Sequence, residues 1–309
     1  MALDAATVAT VLAPVLPAPV TVERMAPLTG GASAETWSVD VTDGAGTAHG
    51  LIVRRGSGVG GLGLDARMES LVQRAAFDAG VPVARVVATF DGGYVMERLP
   101  GEAIPRRVLR GPTAELAGDC AAALRRIHTV GTVPGLPRLP APEQLALLES
   151  LHRSAGAPVP TFELGFRWLR AHLPPPGPVT LVHGDFRMGN FLVEAGRLVA
   201  VLDWELAHLG DPMEDVGWLC IQAWRFGGAG EVGGFGSREA FSAAYGLGID
   251  PGRVRFWEVL GSLKWGVICQ LQSGAHLRGE VRSVERAAIG RRVAEAELDL
   301  LLSLEGKDA

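Results

Sequence analysis

His183-Gly184-Asp185-Phe186-Arg187-Met188-Gly189-Asn190, followed beyond a short hairpin by Asp203-Trp204-Glu205, is the stretch that decides how this chain is read. Phe191 to Val193 and Leu198 to Leu202 are strand-like runs that meet around Gly196. A hairpin returns the chain to its starting end, so Asn190 before the first strand and Asp203 after the second come back to the same place. Phosphoryl transfer needs a carboxylate within reach of an acceptor hydroxyl and hard oxygen ligands holding Mg²⁺ against phosphates, and this spacing suits both needs. Asp and Asn also favour ordinary turns, which is the plain alternative for Asp185 or Asn190 taken singly.

Residues 183–190 and the run VLDWELAHLGDPMEDVGW at 201–218 resemble the aminoglycoside phosphotransferase family of kinase-like enzymes, which includes choline-kinase-like members. The resemblance implies a protein-kinase-like two-lobed fold of the α+β class, with ATP and Mg²⁺ as cofactors. It makes Asp185 the catalytic base, Asn190 and Asp203 the Mg²⁺ ligands, and His183 a scaffold residue that orients the loop. Asp211-Pro212 reads as a helix start, since Asp is a preferred cap and Pro suits the first helical position. Glu205 and Asp215 are either extra ligands or members of a supporting network.

Working outward, residues 20–55 alternate apolar and polar positions around turns at Gly30-Gly31 and Asp43-Gly44, so the chain is expected to start as antiparallel sheet. A helix follows, capped by Asp65 and ended by Gly80, with Met68, Leu71, Val72, Ala75 and Ala79 on its apolar face. Val83 to Phe90 and Tyr94 to Leu99 are strands about Asp91-Gly92-Gly93. Residues 1–100 thus form a nucleotide-binding lobe of sheet plus helix. Helical patterns at 113–128, 142–153 and 161–173 make residues 101–309 a mainly helical lobe for catalysis and acceptor binding.

The resemblance places ATP on the first lobe. Gly30, Gly31 and Ser33 would form the turn over the phosphates, and the edge carrying Met96, Glu97 and Arg98 would be the hinge whose backbone meets adenine. The family normally uses a basic residue on the strand after the turn, paired with a helix glutamate, to grip the phosphates. Lysine occurs only at Lys264 and Lys307, all the other basic residues being arginine. The matching position is Arg54, whose guanidinium can bind phosphate through two N–H groups. Glu69 is the pairing glutamate, with a solvated surface Glu as its plain alternative. Gly58 to Gly63 imitates a dinucleotide-binding fingerprint, but four residues separate it from the strand and Asp91 lies too far on, so a loop is the better description.

The formal net charge of −5 and the lack of a basic block argue against nucleic acid as a partner. Cys120, Cys220 and Cys269 show no metal or disulfide spacing, which suits a reducing cytoplasm. Asp4, Pro14 and Pro17 interrupt an apolar start that would otherwise imitate a signal peptide, and no membrane segment is expected. The remaining partner is a small-molecule hydroxyl acceptor. Aminoglycosides are polycations, yet residues 221–280 hold six Arg or Lys against five Asp or Glu, along with Trp224, Trp257 and Trp265. We therefore expect an acceptor with an apolar or anionic part. The run 201–218 is closest to the family branch that also occurs fused to acyl-CoA dehydrogenases, which is associated with hydroxyacyl substrates. The rival readings are a catalytically silent nucleotide-binding module and a protein kinase. The second lacks a long activation segment.

Overall fold

The computed structural model describes residues 3–28, 35–56, 63–156, 158–281 and 283–306. Its first element is a helix rather than a strand: α1 (Ala5–Leu12), whose first turn is closed by Asp4 accepting from the Thr7 N–H at 2.8 Å. A five-stranded antiparallel sheet follows in the order β1 (Thr21–Leu28), β2 (Glu35–Thr42), β3 (Ala48–Arg55), β5 (Gly93–Glu97), β4 (Val86–Phe90). Successive side chains of a strand face opposite ways. Leu51 and Val53 of β3 join Val39, Val41, Val95 and the Val8 and Leu12 side chains of α1 in one buried layer. Ile52 and Arg54 are thereby turned to the other face, where both line a cleft.

Helix α2 (Ala66–Asp78) starts as expected, with Asp65 accepting from the Met68 N–H at 2.7 Å. Its buried face differs from the apolar periodicity: Leu71 and Ala79 are exposed, whereas Glu69, Val72, Gln73 and Ala76 are buried. The helix lies against a sheet face that presents polar groups, so polar residues turn inward where they find partners. Gln73 Nε2 donates to Ala84 O at 2.8 Å and Gln73 Oε1 accepts from Tyr94 Oη at 3.3 Å.

The rest is helical, with α3 (Pro105–Val108), α4 (Leu116–Ile127), α5 (Ala141–Ser154), α6 (Pro160–Ala171), α7 (Met213–Cys220), α8 (Arg238–Tyr245), α9 (Pro251–Leu277), α10 (Val284–Gly290) and α11 (Arg292–Glu305). Asp250 caps α9 and Pro251 opens it, and the helix then runs 27 residues through the middle of the core. There Val259, Leu260, Leu263 and Val267 pack with Phe162, Phe166 and Trp257, each large side chain contributing about 1.5–3 kcal/mol by leaving water. Two small antiparallel pairs sit among the helices: β6 (Thr180–Val182) with β9 (His208–Gly210), and the hairpin β7 (Phe191–Glu194) with β8 (Arg197–Val201). Main-chain bonds from Leu64 N to Glu205 O, Val201 N to Pro82 O and Glu102 N to Val193 O tie this hairpin to the sheet side and fix the cleft between them. Among the described residues no helix is long and apolar enough to cross a membrane. All three cysteines are buried and unbridged.

Candidate active site

The loop from His183 to Asn190 begins where β6 ends. Its first two N–H groups, of His183 and Gly184, donate to the wholly buried Asp215 carboxylate at 2.8 and 2.9 Å. A third donor, His128 Nε2, reaches Asp215 Oδ2 at 3.1 Å. Burial by itself would raise the Asp215 carboxyl. The bond and attraction of His128, with the nearby His183, outweigh it and hold the group below its ordinary value. Asp215 is therefore an anchor of the loop. Gly184 has φ +78°, and a Cβ there would lie 2.4 Å from Leu206 O, so only glycine fits.

His183 Nε2 donates to Leu202 O at 3.1 Å while its Nδ1 accepts from the Asp185 N–H at 3.2 Å, which fixes one neutral tautomer. Burial lowers its pKa against the pull of Asp215, Asp185 and Asp203. The ring packs on Trp204 at 4.6 Å. His183 thus joins the start of the loop to the end of β8, contacts that suit the scaffold role the resemblance implies.

Asp185 is held by three side-chain donors. Its Oδ1 accepts from Arg187 Nε and Trp218 Nε1, both at 2.8 Å, and its Oδ2 accepts from Asn190 Nδ2 at 2.6 Å. Asn190 Nδ2 also reaches the Asp185 carbonyl at 3.0 Å, closing the turn. Lys264 Nζ donates to Gly184 O at 3.2 Å and stands 4.7 Å from the Trp218 ring. Arg187 and Lys264 are given no role from the sequence, and Trp218 stands out there only as one of four tryptophans between 218 and 265 that could form an apolar acceptor pocket, not as a partner of Asp185. Arg187 is two residues from Asp185 in the quoted loop, a signal that could have been used; nothing in the spacing shows that an indole on α7 and a lysine on α9 reach the same loop.

Across the cleft, Arg54 Nη2 lies 2.5 Å from Asp203 Oδ1 and 3.3 Å from Glu205 Oε2, and Arg54 Nε lies 3.2 Å from the Glu69 carboxylate. The expected Arg54–Glu69 pair is present, and Glu69 is buried rather than solvated. Burial disfavours the Arg54 charge, but Glu69 and Asp203 outweigh it and raise its pKa further. Burial pushes the Glu69 carboxyl up to about 7 despite Arg54. Asp203 has φ +62°, a left-handed conformation that costs a non-glycine residue about 1 kcal/mol or more.

Arg54, Met96, Glu97, Arg98, Asn190 and Asp203 all line this cleft, a cavity of about 450 Å³, with Leu28, Ile52 and Leu192 among its apolar walls. Asp185 adjoins it through Asn190, and Glu69 stands behind Arg54. Arg98 is tied to Ser38 and Asp40, and Glu97 to Arg85. Gly30, Gly31 and Ser33, and the 58–62 part of the glycine-rich loop, lie outside the described residues. Among the described residues no cluster of three or more His, Cys, Asp or Glu could hold a metal unaided. Asn190 and Asp203 instead supply an amide and a carboxylate oxygen to one cavity, the hard-donor set that Mg²⁺ shares with phosphate oxygens. Asp211, read as a cap, accepts from the Met213 N–H at 2.9 Å, but the cap position of α7 falls on Pro212, one residue later than expected.

The fold is that of kinase-like phosphotransferases. A Ralstonia eutropha protein provisionally described as an aminoglycoside phosphotransferase superposes with a TM-score of 0.77 at 22% identity, over 98% of both chains. A choline/ethanolamine kinase family protein from Mesorhizobium loti gives 0.66 at 20% identity, over 90% of this chain and 88% of that one. A spectinomycin phosphotransferase, in complex with ADP and spectinomycin, gives 0.69 at 13% identity over 98% and 99%. By sequence, mouse acyl-CoA dehydrogenase family member 10 is 34% identical over 173 residues, which are 50% of this chain and 16% of that protein. Human acyl-CoA dehydrogenase family member 11 is 28% identical over 176 residues, 48% of this chain and 22% of that protein. The match therefore spans less than a quarter of these longer relatives. The pattern of the phosphotransferase enzyme family (APH) matches residues 24–257, from β1 through the loop of Asp185 and into α9, and on that extent the chain belongs to this family.

Proposed function

We propose that this protein transfers the γ-phosphoryl group of ATP to a hydroxyl of a small molecule, with Asp185 as the base. The observation that carries the reading is the Asp185 carboxylate, fixed by Arg187, Trp218 and Asn190 beside a cleft lined by Asn190, Asp203 and Arg54. Oδ1 already accepts two hydrogen bonds and Oδ2 one, so Oδ2 is the oxygen better able to take the acceptor's proton. Asn190 and Asp203 would hold Mg²⁺, which when bound neutralises phosphate charge. Arg54 would grip phosphate oxygens with N–H groups now spent on Asp203 and Glu205. Main-chain groups near Met96, Glu97 and Arg98 would meet adenine; because the Glu97 and Arg98 N–H groups are given to Arg85 O and Gly50 O, other main-chain groups of this edge must serve. Positioning and charge neutralisation would supply most of the rate, without a covalent enzyme intermediate.

For the acceptor we place an alcohol with an apolar or anionic part, such as a hydroxyacyl compound, ahead of a polycationic aminoglycoside. The near-even charge of residues 221–280 and the likeness to the acyl-CoA dehydrogenase family members support this choice. A division near residue 100 into nucleotide and acceptor lobes, and a reducing cytoplasmic setting for three free thiols, belong to the same reading. One observation favours a second reading, a silent nucleotide-binding module: the usual lysine is replaced by an arginine engaged with three carboxylates.

The test is calorimetric titration of Mg-ATP into wild type and Asp203→Ala, followed by a screen of hydroxylated acceptors for ADP release. Binding that depends on Asp203, with acceptor-stimulated release, supports the kinase. Binding without stimulation by any acceptor supports the silent module.

A further inference from the structure

Three tryptophans run outward from the base. Trp218 donates its indole N–H to Asp185 Oδ1, its ring lies 5.2 Å from that of Trp224, and Trp224 lies 4.7 Å from Trp265. Such faces are what recognise organic cations, above all quaternary ammonium groups. Here each is already covered by a cation of the chain itself: Lys264 stands 4.7 Å from the Trp218 ring, Arg187 4.4 Å from Trp224 and Arg292 5.4 Å from Trp265.

The outer end of this row borders a cavity of about 720 Å³ lined by Ile104, Pro105, Arg106, Phe226, Arg292 and Leu298, an apolar body with two guanidinium groups. Pro105 of this lining lies beside the Asp185 loop, since a Cβ added at Gly189 would stand 3.7 Å from Pro105 Cγ and 2.8 Å from Arg187 Nη1. Carboxylates are present as well. Glu295 accepts from Arg292 Nε at 3.1 Å, an exposed pair that leaves the Arg292 Nη groups for another anion. Asp299, in the same lining, has its carboxyl pushed up by burial and by Glu295 against the pull of Arg292 and Arg225. Nearer the base, Arg187 is bonded to Asp185 and Lys264 stands 4.0 Å from Glu214.

We propose that this row selects the acceptor by charge: it turns cationic alcohols away, because its aromatic faces are filled by the chain's own cations, and takes an alcohol bearing an anionic group that Arg292 meets. The inference rests on the acceptor reading above and adds the residues that enforce it. The anion can be a carboxylate or a phosphate, and the two are separated by the probes.

The experiment is tryptophan-fluorescence titration of the full chain, with and without Mg-ADP, using choline, 1,4-butanediol, 4-hydroxybutyrate and glycerol 3-phosphate, with ADP release measured in parallel. One of the two anions is expected to bind at least about tenfold tighter than choline or the diol. Arg292→Gln is expected to weaken that anion about tenfold and, by uncovering Trp265, to strengthen choline binding, while Arg292→Lys keeps the wild-type order. Choline binding wild type as tightly as the better anion, neither anion binding better than the diol, or an unchanged anion-to-choline ratio in Arg292→Gln would each overturn the proposal. A charge preference without phosphorylation of any alcohol would count against the kinase reading and leave this one standing.

Discussion

Arg54 Nη2 stands 2.5 Å from Asp203 Oδ1, so the guanidinium proposed to take phosphate and the carboxylate proposed to take the metal are bonded to each other. A phosphate oxygen arriving at Arg54 and a cation arriving at Asp203 would relieve one another of this pairing, which couples the two binding events. Asp203→Asn is accordingly expected to weaken Mg-ATP by about tenfold or more, with Arg54→Gln losing a similar amount through its two charge-assisted bonds. Calorimetry on the single and double variants checks the coupling: the double variant should lose less than the sum of the two.

Gly184→Ala is expected to cost about 3 kcal/mol, since it adds left-handed strain to a contact with Leu206 O that no side-chain rotation can relieve. Denaturant unfolding reads the loss directly.

Asp215 gives a pH signature. Its folded-state pKa lies below its unfolded value, so the stability it contributes is fully present above the unfolded value and is lost as pH falls through the folded one. Asp215→Asn is expected to cost about 3 kcal/mol near neutral pH, because the buried His128, His183 and Gly184 donors lose their shared anion. The difference from wild type should shrink below about pH 4, as thermal unfolding across pH 2–7 would reveal.

Trp218→Phe keeps an aromatic side chain, a phenyl in place of the indole, and removes the donor to Asp185 Oδ1. Turnover should fall about tenfold with the apparent affinity for ATP little changed, since the lost bond orients Asp185, the proposed base, and touches no nucleotide. Steady-state kinetics with ATP varied separates the two effects.

Much of this was legible in the chain. Strand alternation put Arg54 opposite the packed side of β3, and the hairpin returned Asn190 and Asp203 to one cleft, because both follow from local periodicity. Two other features depend on what lies across from an element. The buried face of α2 carries Glu69 and Gln73, which apolar spacing assigns to water, because the sheet beside it offers Arg54, Tyr94 and Ala84 O as partners. The donors of Asp185 come partly from α7, and the lysine steadying its loop from α9, contacts between elements 33 and 80 residues apart in sequence. Helix α1 was hidden for a different reason: it is short, its Thr and Val residues offset the helical preference of its alanines, and the Asp4 cap is its main local signal.

The central claim is that Asp185 removes the acceptor's proton, and the most direct measurement is acceptor-dependent ADP release by Asp185→Asn beside calorimetric Mg-ATP binding by the same variant. The account expects binding close to wild type and turnover lower by about 10²–10⁴-fold. Near-native turnover in Asp185→Asn would contradict it.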